Sequence, residues 1–443
     1  MHEIHGTSVL ILGFGREGQS VYRFIKKNAP EIRIAVADQK PIMNPPDDIG
    51  EALVGKDYLT TIHAYDTVVR SPGIPLLLPE LKNARFVTTA TNLFFANCPG
   101  KIIGVTGTKG KSTTSSLIHA LLSAHLPDVR LVGNIGIPAL DTLEGATGET
   151  VFIDELSSFQ LADIRYSPQI AVLLAIHHEH LDLHGSHEAY LAAKTNSIRY
   201  QSNNDVVVYN PAHGTTKQIA EESKARKKTF SLKKTTGLTA WVENDRIMIR
   251  HHNTAQTVLP VDQLPVKGIG NVENTLAALV VANEFNIPIE KIIRSVRSFR
   301  PLPNRLQTVG TYRGITFVND SAATTPEAAI NALETFGDKV TTLIVGGSEK
   351  GHSYAALGDY ISNNSNLQTL IIFPTTGAQI AAAVKRPIRI IPALSMKEAI
   401  ETAYQYTPEN SVCLLSPAAA SFSLFRDYVD RGEQFSRYAK ELA

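Results

Sequence analysis

The chain is 443 residues long and its formal net charge is +1. This length predicts roughly three domains of ordinary size, each able to bury its own core. The near-neutral charge gives no general electrostatic case for binding nucleic acid or an anionic membrane surface.

Two further features predict where the protein works. The only cysteines are Cys98 and Cys413, which lack the spacing of a zinc site, so we expect no disulfide framework and a reducing environment. The N-terminus lacks the basic region and apolar run of a signal peptide, and no later segment is apolar for long enough to span a bilayer. These features predict a cytoplasmic protein without a membrane partner.

The first predicted elements are those of a Rossmann-like domain. A buried strand at 8–12 precedes a glycine turn at 13–18 and an amphipathic helix, and a second strand at 34–38 ends in an acid. This pattern fits a dinucleotide site about as well as any other nucleotide site, so an NAD-dependent oxidoreductase is one interpretation. A turn-rich joint at 97–100 predicts that this domain covers residues 1–97.

The most specific motif is a phosphate loop at 104–114, which follows an apolar strand and continues as a helix. Small residues let backbone N–H groups approach phosphates, Lys111 can neutralise the outer phosphates, and Ser112 can ligate magnesium. Val105 stands where the strict motif has its first glycine. ATP binding is therefore predicted for Gly107, Thr108, Lys109, Gly110, Lys111, Ser112 and Thr113.

The rest of the chain predicts two more α/β domains. Strands at 150–154 and 170–176 and a helix at 186–200 indicate a mostly parallel sheet covered by helices, in a central domain at 98–300. Within it, the basic run 224–228 is interpreted as a solvated face, and residues 238–249 as a hairpin. Prolines near 301 separate a third, Rossmann-like domain at 301–443, with strands at 315–318, 342–345, 369–372 and 412–415.

Three groups of residues in the central domain have more than one interpretation. Glu155 directly follows a strand, where an acid can ligate magnesium but more often caps a helix. The histidines and acids at 177–184 suggest zinc, yet they lack the HExxH spacing and no cysteine assists. Lys194 lies on a predicted helix, and its spacing alone predicts a solvated surface group.

The phosphate loop and the string Glu-Leu-Ser-Ser-Phe-Gln at 155–160 resemble the Mur ligase family, ATP-dependent enzymes that join an amino acid to a carboxylate. The resemblance extends over nearly the whole chain and is greatest to the members that add D-glutamate. Further matches fall in family order at 71–73, 133–136, 268–274, 304–305, 319–321, 346–351 and 415–422.

The resemblance implies a reaction and its cofactors. ATP phosphorylates a substrate carboxylate, and the amine of glutamate then attacks the acyl phosphate to give an amide, ADP and phosphate. Two Mg²⁺ ions would be held by Ser112, Glu155, His180 and Lys194, the last of them carbamylated. His177 and His184 are then polar loop residues. The catalytic residues implied are Lys111, His180, Lys194 and Lys350.

The resemblance also implies a monomer with UDP-N-acetylmuramoyl-L-alanine and glutamate as substrates. Further nucleotide contacts would come from Asn271, Asn274, Arg305 and Asp320. The glutamate side would use Thr324, Lys350, Ser416 and Phe422. The UDP end would meet Gly15, Arg16, Glu17, Asp38, Gln39, Lys40, Ser71, Pro72 and Gly73, and the rest of that substrate Asn134, Ser157 and Gln160.

Three positions depart from the family pattern. Gly270 and Asn304 stand where the family has histidines, and Ala322 replaces a lysine near the nucleotide and acyl phosphate. Loss of a cation from such a site removes roughly several kcal/mol of transition-state stabilisation unless another group replaces it. Two alternatives therefore stay open: a related ligase that uses L-glutamate or another amino acid, and a catalytically silent homologue that binds nucleotide or muropeptide.

Overall fold

The computed structural model describes residues 1–42, 45–134, 137–176, 186–300, 302–349, 352–422 and 424–443. These residues form two compact units, Met1–Leu264 with Val272–Phe299, and Pro265–Asn271 with Arg300–Ala443. The predicted boundary at residue 97 falls inside the first unit, so the division into three domains stays a prediction. In the part of the chain described, no helix combines the length and apolar character needed to cross a bilayer.

The strands formed by the described residues belong to three sheets. In chain order they are β1 Ser8–Leu12, β2 Arg33–Asp38, β3 Glu51–Val54, β4 Thr67–Arg70, β5 Val87–Thr89, β6 Lys101–Thr106, β7 Val129–Gly133, β8 Val151–Glu155, β9 Ile170–Leu173, β10 Val206–Tyr209, β11 Arg226–Ser231, β12 Ala240–Glu243, β13 Arg246–His251, β14 Thr254–Pro260, β15 Gln307–Tyr312, β16 Ile315–Asn319, β17 Val340–Gly347, β18 Thr369–Thr375, β19 Arg389–Pro392 and β20 Val412–Leu415.

The helices lie mostly between consecutive strands. Among the described residues they are α1 Arg16–Asn28, α2 Ala90–Asn97, α3 Lys111–Ser123, α4 Ser158–Leu161, α5 His187–Arg199, α6 Gly214–Glu222, α7 Ile269–Glu284, α8 Ile289–Ser298, α9 Pro326–Phe336, α10 Ala355–Asn363, α11 Thr376–Ala383, α12 Met396–Tyr406 and α13 Tyr428–Glu441.

The first sheet has the order β3-β2-β1-β4-β5 and all its strands are parallel. All five residues of β1 are buried, as expected for the central strand of a parallel sheet covered on both faces. The predicted bounds of β1 are confirmed, and α1 begins at Arg16, inside the glycine turn predicted at 13–18. The Rossmann-like prediction for this part of the chain is confirmed.

The second sheet has nine strands in the order β14-β13-β12-β11-β10-β9-β6-β8-β7. The strands from β6 to β12 are parallel, and β13 and β14 extend the sheet antiparallel. The predicted hairpin is confirmed as β12 and β13, joined by Asn244 and Asp245, whose φ angles of +49° and +55° suit a two-residue hairpin turn.

The basic run 224–228 is mainly exposed, as predicted, but it also enters strand β11, which the sequence did not indicate. Glu284 lies beside this strand and pairs with Arg226 at 3.2 Å and with Lys228 at 2.9 Å. The charged face of β11 is therefore partly neutralised by the end of helix α7.

The third sheet lies in the second unit and has the order β15-β16-β20-β17-β18-β19. All neighbours in it are parallel except β15 and β16. The strand predicted at 412–415 is confirmed at both ends, whereas β17 and β18 are longer than predicted. The α/β class with mostly parallel sheets is confirmed.

A buried ion pair inside the first unit joins the first sheet to the segment that follows helix α4. Arg70 ends β4, and only 2% of its side chain is exposed. Its guanidinium donates to both carboxylate oxygens of Asp163, at 2.9 and 3.3 Å, and to the carbonyl oxygen of Ile74. The guanidinium of Arg23 makes a comparable pair with Asp141, but 53% of the Arg23 side chain is exposed.

We expect Arg70→Ala to lower the free energy of unfolding by about 3 kcal/mol, because it leaves a largely buried carboxylate without its counter-charge. Arg23→Ala is the matched control, with an expected loss of about 0.2–1 kcal/mol because water already solvates that pair. Urea unfolding followed by circular dichroism measures both. Equal losses in the two variants would contradict the role given to Arg70.

Candidate active site

The order of the second sheet brings distant segments to one edge. Strands β6, β8 and β7 are consecutive neighbours and parallel, so their carboxyl ends lie together. They end in the phosphate loop, in Glu155 and in Gly133, respectively. The amide of Asn134 donates to the carbonyl oxygen of Glu155 at 3.4 Å. This edge is where parallel α/β sheets bind their ligands.

The phosphate loop depends on glycine at two positions. Gly107 has a φ angle of +155°, and a Cβ there would lie 2.6 Å from the Cβ of Leu174. Gly110 has a φ angle of +85°, and a Cβ there would lie 2.3 Å from Oδ1 of Asn274. The loop backbone is thus in close contact with the segment after β9 and with α7, and the predicted nucleotide residue Asn274 lies beside it.

The side chain of Lys111 folds over the loop. Its ammonium donates to the carbonyl oxygens of Gly107 at 3.0 Å and Thr108 at 2.9 Å. Lys111 is the first residue of α3, so its charge lies at the N-terminus of that helix. The first backbone N–H groups of a helix have no hydrogen-bond partner within the helix. This arrangement provides the cationic cradle that a triphosphate requires.

Lys194 is buried, so the surface position predicted from its spacing is wrong. Only 1% of the residue is exposed, and its ammonium donates to Oγ1 of Thr106 at 2.9 Å and to the carbonyl oxygen of Gly107 at 3.0 Å. Burying an ammonium group costs free energy unless it is hydrogen-bonded. Lys194 thus lies beside the phosphate loop, and the metal-ligand role that the family resemblance implied for it stays a prediction.

Tyr190 is a residue of this site that the sequence analysis missed. Its hydroxyl group and Oγ1 of Thr108 are 2.9 Å apart, and its ring centroid is 5.5 Å from the Lys194 ammonium. Tyr190 is 1% exposed. Its spacing of four residues from Lys194 on one helix is the signal that could have placed both side chains on the same face.

Glu155 does not cap the helix that follows it, which was the structural alternative to metal binding. Helix α4 is capped by Ser157, whose hydroxyl accepts from the Gln160 amide, while the Gln160 side chain accepts from the Ser157 amide. The helix-cap interpretation of Glu155 is therefore wrong. Glu155 is 6% exposed, and its Oε2 has no hydrogen-bond partner among the described residues.

The predicted metal ligand His180 lies outside the described ranges. The same holds for the whole segment 177–185, which includes His177, Glu179 and His184. Within those ranges, no three His, Cys, Asp or Glu side chains are grouped so that they could hold a metal ion. Lys350 also lies outside the described residues.

Glu17 contacts helix α4 through Gln160. The Gln160 side chain donates to Oε1 of Glu17 at 3.1 Å, so the capping box and Glu17 hold each other in place. Burial raises the pKa of Glu17, although Gln160, Arg16 and Arg70 oppose that rise. Asp154 precedes Glu155 in strand β8. Burial, together with the nearby carboxylates of Glu17 and Glu155, raises the pKa of Asp154 to about 7.

The residues predicted for the UDP end lie at the carboxyl edge of the first sheet. The Asp38 carboxylate accepts from the amides of Phe14 and Lys40, both at 2.9 Å, and the Ser71 hydroxyl donates to the Gly13 carbonyl at 3.0 Å. The structure thus brings the first glycine turn, Asp38 and Ser71 together. The remaining members of the predicted set are exposed or half-buried: Gly15, Arg16, Gln39, Lys40, Pro72 and Gly73.

In the second unit, Asp320 and Ser416 lie together. Oδ2 of Asp320 accepts from the Ser416 hydroxyl at 2.8 Å, and Oδ1 accepts from the Leu306 amide at 3.2 Å. Burial raises the pKa of Asp320 to about 7 against these hydrogen bonds. Arg305 is exposed, Thr324 is half-buried, and Phe422 is 69% exposed.

The three departures from the family pattern occupy different surroundings. Asn304 is buried, and its Oδ1 accepts from the Asn319 side chain at 2.8 Å. A Cβ at Gly432 would lie 1.8 Å from that same oxygen, so Asn304 fills a space that the helix α13 glycine leaves open. Gly270 is exposed and Ala322 is half-buried.

Comparison with protein families gives two matches. Residues 105–282 match the Mur ligase middle domain, and residues 304–419 match the Mur ligase glutamate ligase domain. Several curated relatives are similar over their full length. The UDP-N-acetylmuramoylalanine--D-glutamate ligase of Koribacter versatilis is 32% identical, covering 100% of this chain and 99% of the relative. The enzyme of the same name from Acetivibrio thermocellus is 32% identical, covering 99% and 97%.

Solved structures share the fold. The MurF ligase from Thermotoga maritima in complex with ADP has a TM-score of 0.62 at 18% identity, covering 100% of this chain and 97% of that one. The UDP-N-acetylmuramate-alanine ligase MurC from the same organism has a TM-score of 0.63 at 17% identity, covering 99% and 100%.

Because Tyr190 contacts the phosphate loop, we expect Tyr190→Phe to weaken ADP binding about fivefold, the equivalent of one hydrogen bond of about 1 kcal/mol. Tyr200→Phe is the control, since Tyr200 follows the same helix and is 50% exposed. Isothermal titration calorimetry measures both affinities. Unchanged affinity in a folded Tyr190→Phe protein would exclude the proposed support of the loop.

Proposed function

This chain belongs to the Mur ligase family, and on that basis we propose that it adds D-glutamate to UDP-N-acetylmuramoyl-L-alanine in peptidoglycan precursor synthesis. The reaction consumes ATP and gives ADP and phosphate through an acyl phosphate. The observation that carries the proposal is the full-length similarity to ligases of that name, combined with a phosphate loop packed against Lys194.

The ATP phosphates are proposed to lie on the loop and the start of α3. Lys111 donates to two loop carbonyl oxygens, and its ammonium can exchange these acceptors for phosphate oxygens without leaving the loop. Thr108, Lys109, Gly110, Ser112 and Thr113 complete this cradle, with Asn274 beside Gly110. Asn271, Arg305 and Asp320 are proposed as further nucleotide contacts.

The described residues of the proposed metal site fit Mg²⁺. Glu155 presents a buried oxygen with no partner among the described residues, which is the kind of ligand that a hard cation takes. Ser112, Glu155, His180 and Lys194 would hold the two ions, and Mg²⁺ there would neutralise charge during phosphoryl transfer.

Lys194 is proposed to act as its carbamate. Its neutral amine would take up CO₂ to form an N-linked carboxylate and release one proton. Lys194 now donates to two acceptors, Thr106 and Gly107, and the single N–H of a carbamate can serve only one of them. The new carboxylate would turn away from these acceptors, towards the cation side of the loop. The burial of Lys194 beside the phosphate loop supports this proposal.

Amide formation is proposed to use residues of the second unit. Lys350, Thr324, Ser416 and the backbone of Phe422 would bind the carboxylates of glutamate, leaving its amine to attack the acyl phosphate. Ser416 is already oriented by its hydrogen bond to Asp320. His180 is proposed as a catalytic residue together with Lys111, Lys194 and Lys350.

The UDP end is proposed to lie over the first sheet's carboxyl edge, on Gly15, Arg16, Gln39 and Lys40 and on the turn at 71–73. Asp38 and Glu17 would support this site through other residues instead of contacting the UDP group themselves. Asp38 orders the backbone of the turn, and Glu17 orients Gln160, which we propose meets the muramoyl part with Asn134 and Ser157.

We propose that the enzyme works in the cytoplasm, where ATP and the UDP-linked precursor are made, and as a monomer. All residues proposed for the reaction come from one chain. Light scattering of the purified protein at assay concentration tests the monomer.

We expect release of phosphate from ATP that requires both UDP-N-acetylmuramoyl-L-alanine and D-glutamate. Lys111→Ala should reduce kcat about 10²–10³-fold, because it removes the charge that meets the transferring phosphoryl group. Lys217→Ala is the control, since that lysine is on the exposed face of α6 and 48% exposed. Phosphate release that occurs with L-glutamate but not with D-glutamate would show that the enzyme adds the L enantiomer. ADP binding without any turnover would identify a silent homologue.

Carbamylation of Lys194 has its own test. Lys194→Ala should reduce kcat about 10²-fold or more and recover partly when acetate or formate is added, because a short carboxylate can take the vacated position. Carbon-13 NMR of protein equilibrated with labelled CO₂ should show a carbamate signal that Lys194→Ala loses and Lys217→Ala keeps. A signal that persists in Lys194→Ala would place the carbamate on another amine.

A further inference from the structure

A small cavity lies between helix α1 and the second sheet, apart from the phosphate loop. Its volume is about 20 Å³, and residues from α1, α2, β7, β8 and α4 line it. Three of the lining side chains, Glu17, Ser20 and Asp154, have an oxygen atom that is buried and has no hydrogen-bond partner among the described residues. These atoms are Oε2 of Glu17, Oγ of Ser20 and Oδ1 of Asp154.

Two of these residues are almost completely buried. Ser20 is 1% exposed and Asp154 is 2% exposed. Gly133 borders the same cavity, and a Cβ added to it would lie 2.3 Å from Oδ1 of Asp154. The absence of a side chain at Gly133 therefore keeps the space in front of that carboxylate open.

The charges around the cavity are uneven. The charged groups acting on Asp154 are the carboxylates of Glu17 and Glu155, both of which disfavour a second negative charge. Arg16 and Arg70 act on Glu17, but the Arg70 guanidinium is bound to Asp163. Buried charges are retained in proteins when they are paired or when they coordinate a cation. The cavity thus combines three buried oxygen ligands with two carboxyl groups whose negative charge a bound cation would neutralise.

We propose that Glu17, Ser20 and Asp154 bind one monovalent cation of the size of K⁺ in this cavity. A space of about 20 Å³ holds a single body the size of a water molecule, which K⁺ resembles. Mg²⁺ usually keeps several of its own waters and would need more room. A water molecule fits by size and could hydrogen-bond to all three oxygens, but it would not neutralise the two carboxyl groups as a cation would.

The cation would join two parts of the first unit. Glu17 and Ser20 belong to α1, next to the glycine turn of the first sheet, and Asp154 belongs to β8 of the second sheet. Binding in this position would stabilise the folded unit in the absence of nucleotide and substrate. The proposal therefore stands independently of the proposed function.

Thermal unfolding of the protein, free of nucleotide and in EDTA, tests the site. At equal ionic strength, K⁺ should raise the Tm by about 2–4 °C over tetramethylammonium, which is too large to enter the cavity. Asp154→Asn and Ser20→Ala should lose this difference. Glu149→Gln should keep it, because Glu149 is exposed and outside the cavity.

Crystals soaked in Rb⁺ give the second measurement, since the anomalous signal of Rb⁺ locates it directly. A peak bounded by the three oxygens would support the site. A Tm difference that persists in Asp154→Asn, or a cavity that contains only water in Rb⁺-soaked crystals, would overturn it. No difference between K⁺ and tetramethylammonium in the unaltered protein would also overturn it, leaving a proton or a water to satisfy these oxygens.

Discussion

The close packing of the phosphate loop against its neighbours is the constraint on which the rest of the site depends. Gly107 and Gly110 leave no room for a side chain, because Leu174 and Asn274 already occupy the space. The buried ammonium of Lys194 then holds the loop from the side of α5. A loop fixed on three sides presents its backbone N–H groups in one arrangement, and such preorganisation is what makes electrostatic stabilisation effective.

Buried charge is the second feature that shapes this protein. Lys194 and Arg431 are both almost completely buried, and each is retained through hydrogen bonds to backbone or hydroxyl oxygens. The Arg431 guanidinium donates to the carbonyl oxygens of Ser321 and Ala419 and to the Ser321 hydroxyl, while burial lowers its pKa to about 9. Asp320 acts on this guanidinium from nearby. The interiors that carry these charges are therefore ordered by polar contacts as well as by apolar packing.

The departures from the family pattern do not weigh equally. Asn304 is part of the packing of the second unit, where its amide meets Asn319 and the open space at Gly432. Ala322 differs, because nothing in its described surroundings accounts for the loss of a lysine. The effect of that loss on the reaction rate is measured by phosphate release in the presence of all three substrates.

The sequence by itself determined the local features of this protein. The apolar runs predicted β1 and β20 to the residue, and the glycine spacing with Lys111 and Ser112 predicted the phosphate loop, because these signals depend on residues close together in the chain. The resemblance to a family then gave Lys194 a role at a metal ion, where its spacing alone had suggested the surface.

Tertiary structure alone decided which distant residues share an environment. Sheet order put Asn134 beside Glu155, at the end of the strand next to the one that leads into the phosphate loop, and helix packing brought Tyr190 to Thr108. It also turned Glu17 towards Gln160 and enclosed Asp154, neither of which any local pattern indicated. Burial and hydrogen bonds between residues far apart in the chain set these environments. Both depend on strand order and helix packing, which no short stretch of sequence encodes.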